Sequence, residues 1–399
     1  MSSERVAAAD AQFLWLSAKV PNDQFLVYVF DGKPDIPGAL AQARRNAEAC
    51  VDLRLRIRDD TPWRYPRWEA GDVSDEQFIV HQEADWPDCL DRLADLDQLD
   101  AGRMAWRLDV FPPNVVVVQV AHALADGTRS AALAATVFGR RLSVPAVTPD
   151  RGNLLWRGLI AAREHRIMLD DIEAGVLAGP AQLRPALSVN ARSAARPVLR
   201  TLVVDRQRMD HPTVTAAALA LIAEALGGYL ADRGEDVSRL GAEVPMSVRR
   251  GNEARNNFRN VSVGLHPEAE IDQRADRIND ELRMQRRRAE HPAAEASAAA
   301  FAAVPAPLLR WGMRQFDPDA RSATVAGHTV VSSVNRGPAD LTFGGGRVLF
   351  TAGFPALSPM MGLTHGVHGI GDRVAVSVHA DPGVIDVDDY LGRLGRALG

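Results

Sequence analysis

The sequence predicts a mixed α/β chain folded as two lobes. Strand patterns and helix patterns alternate in both halves of the 399 residues, 46% of which are hydrophobic and 24% charged. Two turn-rich stretches, 141–153 and 190–197, bracket one helical segment, and this interruption separates the halves. The expected organisation is an N-terminal lobe at 1–140, an interlobe connection at 141–197 and a C-terminal lobe at 198–399.

In the first half, Asp10 reads as the N-cap of a short helix over 10–18. Gln24 to Phe30 reads as a strand stopped by Asp31-Gly32, and Ile36 to Ala49 as an amphipathic helix. The run Leu53-Arg-Leu55-Arg-Ile57-Arg alternates with period two, as a strand with one buried face does. Trp106 to Phe111 and Val115 to Ala121 form two strands about Pro112-Pro113-Asn114. The second is almost wholly apolar, which predicts burial on both faces. It leads straight into His122-Ala-Leu-Ala-Asp126-Gly127, and an alanine-rich helix follows from Thr128 to Arg140.

In the connection, Leu154 to Leu177 reads as helical. Beyond it, Val198 to Val204, Glu243 to Val248, Val261 to Leu265, Val325 to Val334, Arg347 to Phe350 and Val374 to His379 read as strands. Helices are expected at Val214–Ala231, Ile271–Arg288 and Val387–Leu398.

A net charge of −5 and a pI near 6.1 argue against nucleic-acid binding. The two cysteines, Cys50 and Cys89, stand apart with no metal-ligand spacing. No signal-peptide pattern opens the chain, and no apolar run of about 18 residues predicts a membrane span. A cytoplasmic location follows as the expectation, with room for peripheral membrane contact. Lys19 and Lys33 are the only lysines among many arginines and alanines, a high-GC bias that suggests an actinobacterial source.

His122-x-x-x-Asp126-Gly127 is the strongest chemical candidate. A histidine at the rigid end of a buried strand can take a proton from a nucleophile and return it to a leaving group. Asp126, in a turn set by Gly127, would orient the loop through a buried ion pair, with Arg249 as candidate partner. The alternative is a plain strand-to-helix turn in which Asp126 caps the next helix. His365-x-x-His368 and His379 lack further ligands at familiar spacing, and Gly366 and Gly369 suggest a loop, so no metal site is expected. Phe343-Gly-Gly-Gly346-Arg347 reads as a hairpin turn. Arg283 to Arg288 reads as a solvated helix face, and the absence of Gly-x-Ser-x-Gly argues against a serine hydrolase.

Trp106-Arg-Leu108-x-Val110-Phe111 with Val115 to Gly127 resembles the core of wax ester synthase/diacylglycerol acyltransferase enzymes. That family is part of the HxxxDG superfamily with chloramphenicol acetyltransferase and condensation domains. Asp10-Ala-x-Phe13-Leu14-Trp15, Thr213-Val-Thr215, Val244-Pro-Met-Ser-Val-Arg249, Asn260-Val-Ser-Val, Val331 to Pro338 and Leu357-Ser-Pro359 are similar to its other blocks, in order, over nearly the whole chain. The resemblance implies a chloramphenicol-acetyltransferase-like fold with an active-site tunnel between the lobes.

The resemblance further implies His122 as general base for direct acyl transfer to a hydroxyl or amine acceptor, with Thr215, Ser333 and Asn335 as tunnel candidates. No bound cofactor is implied; acyl-CoA or an acyl carrier protein would be the co-substrate. The family's paired histidines are reduced here to Ala121-His122, with the base position kept. Thr215-Ala216 stands where Asn-Asp is usual. These departures point to a different acceptor, as in specialised metabolism. A cyclisation or condensation on the same fold, or a non-catalytic acyl-ligand-binding protein, are the alternatives.

Overall fold

A computed structural model describes residues 4–140, 145–149, 152–193, 195–209, 211–248 and 253–399. Its core is two six-stranded sheets. The first contains β2 (Gln24–Phe30), β5 (Phe78–Val80), β6 (Trp106–Phe111) and β7 (Val115–Val120), with β14 (Thr342–Phe343) and β15 (Gly346–Gly353) added from late in the chain, in the order β14-β15-β2-β7-β6-β5. Every residue of β7 is buried, as its apolar run predicts. Val116, Val118 and Val120 pack under α2 (Ile36–Ala49) and α4 (Gly127–Val137), while Val115 and Val117 pack with Leu199 and Ala375 from the second lobe.

The second sheet has the order β11-β10-β13-β16-β17-β9. Its strands are β9 (Val198–Asp205), β10 (Gly241–Ser247), β11 (Phe258–Gly264), β13 (Thr329–Asn335), β16 (Leu363–Ile370) and β17 (Arg373–Ala380). One face is covered by α6 (Val214–Ala231), α7 (Ile271–Ala289) and α10 (Val387–Leu398). α6 is long and apolar enough to cross a membrane, but 67% of it is buried here, as suits a core helix. A small sheet of β1 (Glu4–Arg5), β3 (Leu55–Arg58) and β4 (Arg67–Ala70), and a β8 (Arg184–Pro185)–β12 (Thr324–Val325) ladder, complete the strands.

The 198–399 segment does not stay within the second lobe. β15 pairs antiparallel with β2, whose far edge would otherwise be bare, and Thr351 Oγ1 donates to the Val27 carbonyl at 2.7 Å. Helix α9 (Ala306–Gln315) also returns, burying Ala306 and Leu309 in the first-lobe core beside α1 (Ala8–Ser17). The glycines before β15 do make a hairpin turn: Gly344 and Gly345 both have positive φ (54° and 86°), as a two-residue turn requires.

Three local expectations change. Asp10 lies inside α1, which begins at Ala8, and it is not the cap. The Val325–Val334 run is split between β12 and β13. His365 and His368 lie in β16, not in a loop, because their glycines face neighbouring backbone: a Cβ on Gly366 would sit 2.0 Å from the Gly353 carbonyl oxygen.

Candidate active site

His122 follows the last residue pair of β7 and enters a tight turn in which the Leu124 amide donates to the Ala121 carbonyl. Gln24 holds the far side of the turn, its Nε2 donating to the Ala125 carbonyl. Asp126 then starts α4 as N-cap, with Oδ1 accepting from the Arg129 amide at 2.9 Å. The plain capping reading is therefore true of Asp126, but it does not exhaust the residue. Oδ2 accepts from the Asn257 amide at 2.9 Å, and the Asp126 amide donates to the Arg255 carbonyl at 3.3 Å.

Among the described residues the carboxylate is held by two main-chain donors, one from each lobe. Arg249, the expected partner, lies outside the described residues. Gly127 is needed for a close approach, since a Cβ there would meet Val334 Cγ2 of β13 at 3.3 Å.

The segment 255–257 is the second wall of the site, and Asp10 fastens it. Asp10 is fully buried; Oδ1 accepts from the amide and from Nδ2 of Asn256, both at 2.9 Å, and Oδ2 accepts from the Arg255 amide at 3.0 Å. Burial pushes the Asp10 carboxyl up to about 6, against the pull of these donors. The Arg255 side chain is also buried, pairing with Asp52 at 2.6 Å; Asp52 in turn pairs with Arg129 of α4 at 2.7 Å.

Asn256 fixes the chemistry of His122. Its Nδ2 donates to the His122 carbonyl at 2.8 Å as well as to Asp10. A carbonyl only accepts, so the amide group must face it with nitrogen, and Oδ1 must then face the imidazole. Oδ1 lies 2.9 Å from His122 Nδ1. Nδ1 therefore carries the proton, and Nε2 is left with its lone pair. The ring stacks on Phe13 of α1 (centroids 4.0 Å apart, planes 2° apart) and lies 5.7 Å from the Phe258 ring of β11. Burial in this setting lowers the His122 pKa below 6.5, which keeps the imidazole neutral near pH 7.

The tunnel candidates fall elsewhere on β13. Thr215 Oγ1 donates to Ser333 Oγ at 2.9 Å, joining α6 to the helix-covered face of the sheet, where Val331 is also buried. Side chains alternate along a strand, so Val334, not Ser333, points to the His122 turn. Asn335 is exposed at the strand end and accepts from the Gly337 amide at 3.0 Å. His365 and His368, three apart in β16, project to opposite faces and cannot share an ion. His365 is engaged by Thr329 (2.8 Å) and Tyr390 (2.6 Å), and burial pushes its pKa down to about 3.

Asn256, Arg255, Phe13 and Phe258 were not singled out as site residues from the sequence. The only signals were the N-terminal block containing Asp10 and Phe13, and an Asn-Asn pair just before a strand.

Residues 255–399 match the family model described as the WS/DGAT C-terminal domain. This part of the chain is similar to a WS/DGAT C-terminal domain. The match agrees with the family resemblance of the sequence, and the matched stretch contains Asn256 and Phe258. A search of curated proteins found no match.

Among solved structures, the wax ester synthase/diacylglycerol acyltransferase from Marinobacter aquaeolei VT8 superposes with a TM-score of 0.63 at 18% identity, covering 99% of this chain and 98% of that one. A variant of the starter condensation domain of rhizomide synthetase RzmA in complex with C8-CoA gives 0.57 at 16% identity, covering 100% and 93%. A further variant, with C8-CoA and Leu-SNAC, gives 0.55 at 16% identity, covering 99% and 93%. These likenesses establish the fold, which is two-lobed and chloramphenicol-acetyltransferase-like.

Proposed function

We propose that this protein transfers an acyl group from an acyl thioester to a hydroxyl or amine acceptor, with His122 as the base. The observation that carries this reading is the Asn256 amide, which leaves Nε2 of His122 unprotonated at the junction of the two lobes. Nε2 takes the proton from the acceptor as its oxygen or nitrogen attacks the thioester carbonyl. The tetrahedral intermediate then expels the thiolate, which receives that proton from the imidazolium. The acyl group passes directly to the acceptor without a covalent enzyme intermediate. The named activities of the Marinobacter enzyme and the C8-CoA held by the condensation domain support the same reading. Condensation on a carrier-bound acceptor is the second reading, favoured by Ala121 in place of a second histidine and by the Leu-SNAC complex.

Thiol release from a panel of acyl-CoAs, with alcohols and amines as acceptors, tests the proposal. Acceptor-dependent release is expected; a protein that binds acyl-CoA tightly yet releases no thiol with any acceptor would overturn it.

The pH profile gives a second test. With His122 neutral by burial, the acid limb of kcat/KM is expected below pH 6.5. Asn256→Ala, which leaves Nδ1 unheld, should lose about tenfold in kcat. An unchanged kcat in a folded Asn256→Ala protein would show that Asn256 does not act on the ring.

A further inference from the structure

The face of the second sheet that looks toward His122 is polar at one particular place. Cross-strand register puts Ser247 opposite Phe258, Pro245 opposite Asn260 and Glu243 opposite Ser262, all on one side of the β10–β11 pair. Phe258 on that side reaches the His122 ring, and Val334, on the same side of β13, touches Gly127. The residues between them in sequence, Ala242, Val244, Met246, Val261 and Val263, point the other way into the core under α6 and α7. Glu243 therefore belongs to the His122 side.

Glu243 is half-buried, and among the described residues its one side-chain hydrogen bond is a long one, 3.3 Å from Asn260 Nδ2. No cation lies within ion-pair distance among the described residues, and burial raises its pKa. A half-buried carboxylate with no cation beside it has lone pairs free to accept from a ligand. Four steps along the strand lead from Phe258 to Ser262, which places Glu243 about 13 Å along this face from Phe258.

We propose that Glu243 selects the acceptor, taking a hydrogen bond from a second hydroxyl or an ammonium group that the acceptor carries at the end remote from its attacking atom. The acceptor is then a polar, bifunctional alcohol or amine and not a simple long-chain alcohol. This rests on the acyl-transfer reading above, but its test does not depend on turnover.

Three acceptors of equal length, long enough to span ~13 Å, decide it: an n-alkanol, the matching α,ω-diol and the matching ω-amino alcohol. With acyl-CoA as donor, the wild-type protein should favour the diol and the amino alcohol over the alkanol by roughly tenfold in kcat/KM, mostly through KM, as loss of a hydrogen bond to a charged group predicts. Glu243→Leu should bring these ratios close to one. Glu243→Gln should keep the preference for the diol and lose that for the amino alcohol. A wild type without preference, or a Glu243→Leu protein that keeps it, overturns the proposal.

Calorimetric titration of the same acceptors into His122→Ala and His122→Ala/Glu243→Leu separates the two readings. If no thioester reacts, transfer fails; weaker diol and amino alcohol binding in the double variant still supports Glu243, and equal binding overturns it. Glu243→Gln, close to isosteric, guards against misfolding of the leucine variant.

Discussion

Replacing His122 with alanine is expected to lower acceptor-dependent thiol release by about 10²–10⁴-fold, the range that a positioned general base contributes. The loss should fall on kcat. Nothing in the geometry makes the imidazole a donor-binding group: Nδ1 is spent on Asn256, one ring face is stacked on Phe13, and Phe258 stands beside the ring. Acyl-CoA affinity, measured by titration without acceptor, should therefore stay within a few-fold of the wild type. The fold should persist, since alanine gives up one hydrogen bond and a ring stack, about 1–2 kcal/mol together. Turnover by a folded His122→Ala protein at a rate near the wild type would remove His122 from the chemistry.

Asp10→Ala should act on the framework of the site. It strips acceptors from the Arg255 amide, the Asn256 amide and one proton of Asn256 Nδ2, all buried where water cannot replace them. A buried donor left without its acceptor costs about 1–3 kcal/mol. Removing a buried charge offsets part of that, so a net loss of about 3 kcal/mol is expected, read from denaturant midpoints.

The pH dependence carries a signature. Burial holds Asp10 at about 6 in the folded state, against 3.8 for an ordinary aspartate. The folded state thus holds the proton more tightly than the unfolded one, and this contribution to stability, complete below pH 3.8, declines as pH rises through 6. Asp23, also pushed up to about 6 by burial, does the same, so Asp10→Ala should remove part of the decline and leave the rest. A pH–stability curve parallel to the wild type would show that Asp10 does not titrate in this way.

The sequence discloses what is periodic and local. The helices at Ile36–Ala49, Val214–Ala231 and Val387–Leu398 stand where their apolar spacing and end signals put them, and the burial of β7 follows from its run of valines. His122 and Asp126 were legible because their turn is continuous in sequence. The other half of the site was not, because its residues are brought together from 245 positions apart: Asp10 carries the same letter whether it caps a helix or holds a distant loop. Asp10 resembled a cap from its neighbours alone, and only tertiary contact reveals that its three donors come from 255–256. The face that Ser333 takes was hidden for a different reason. A strand's two faces are indistinguishable until its register is known, and β13 turned Val334 to the site.

The passage of β15 into the first sheet has a consequence for how the chain comes to its final state. Thr351 meets Val27 across 324 positions of sequence. Until residues near 350 have emerged from the ribosome, β2 has an unfilled edge and the first sheet lacks its closing strand. Early folding can build the helices and the β2–β7–β6 hairpin stack, but the surface that receives His122's partners must wait. Contacts of such separation slow folding and leave strand edges open to wrong pairing in the meantime. The two halves are therefore not separable modules: a fragment ending before β14 would keep the His122 turn and present a bare, apolar strand edge in place of a finished lobe.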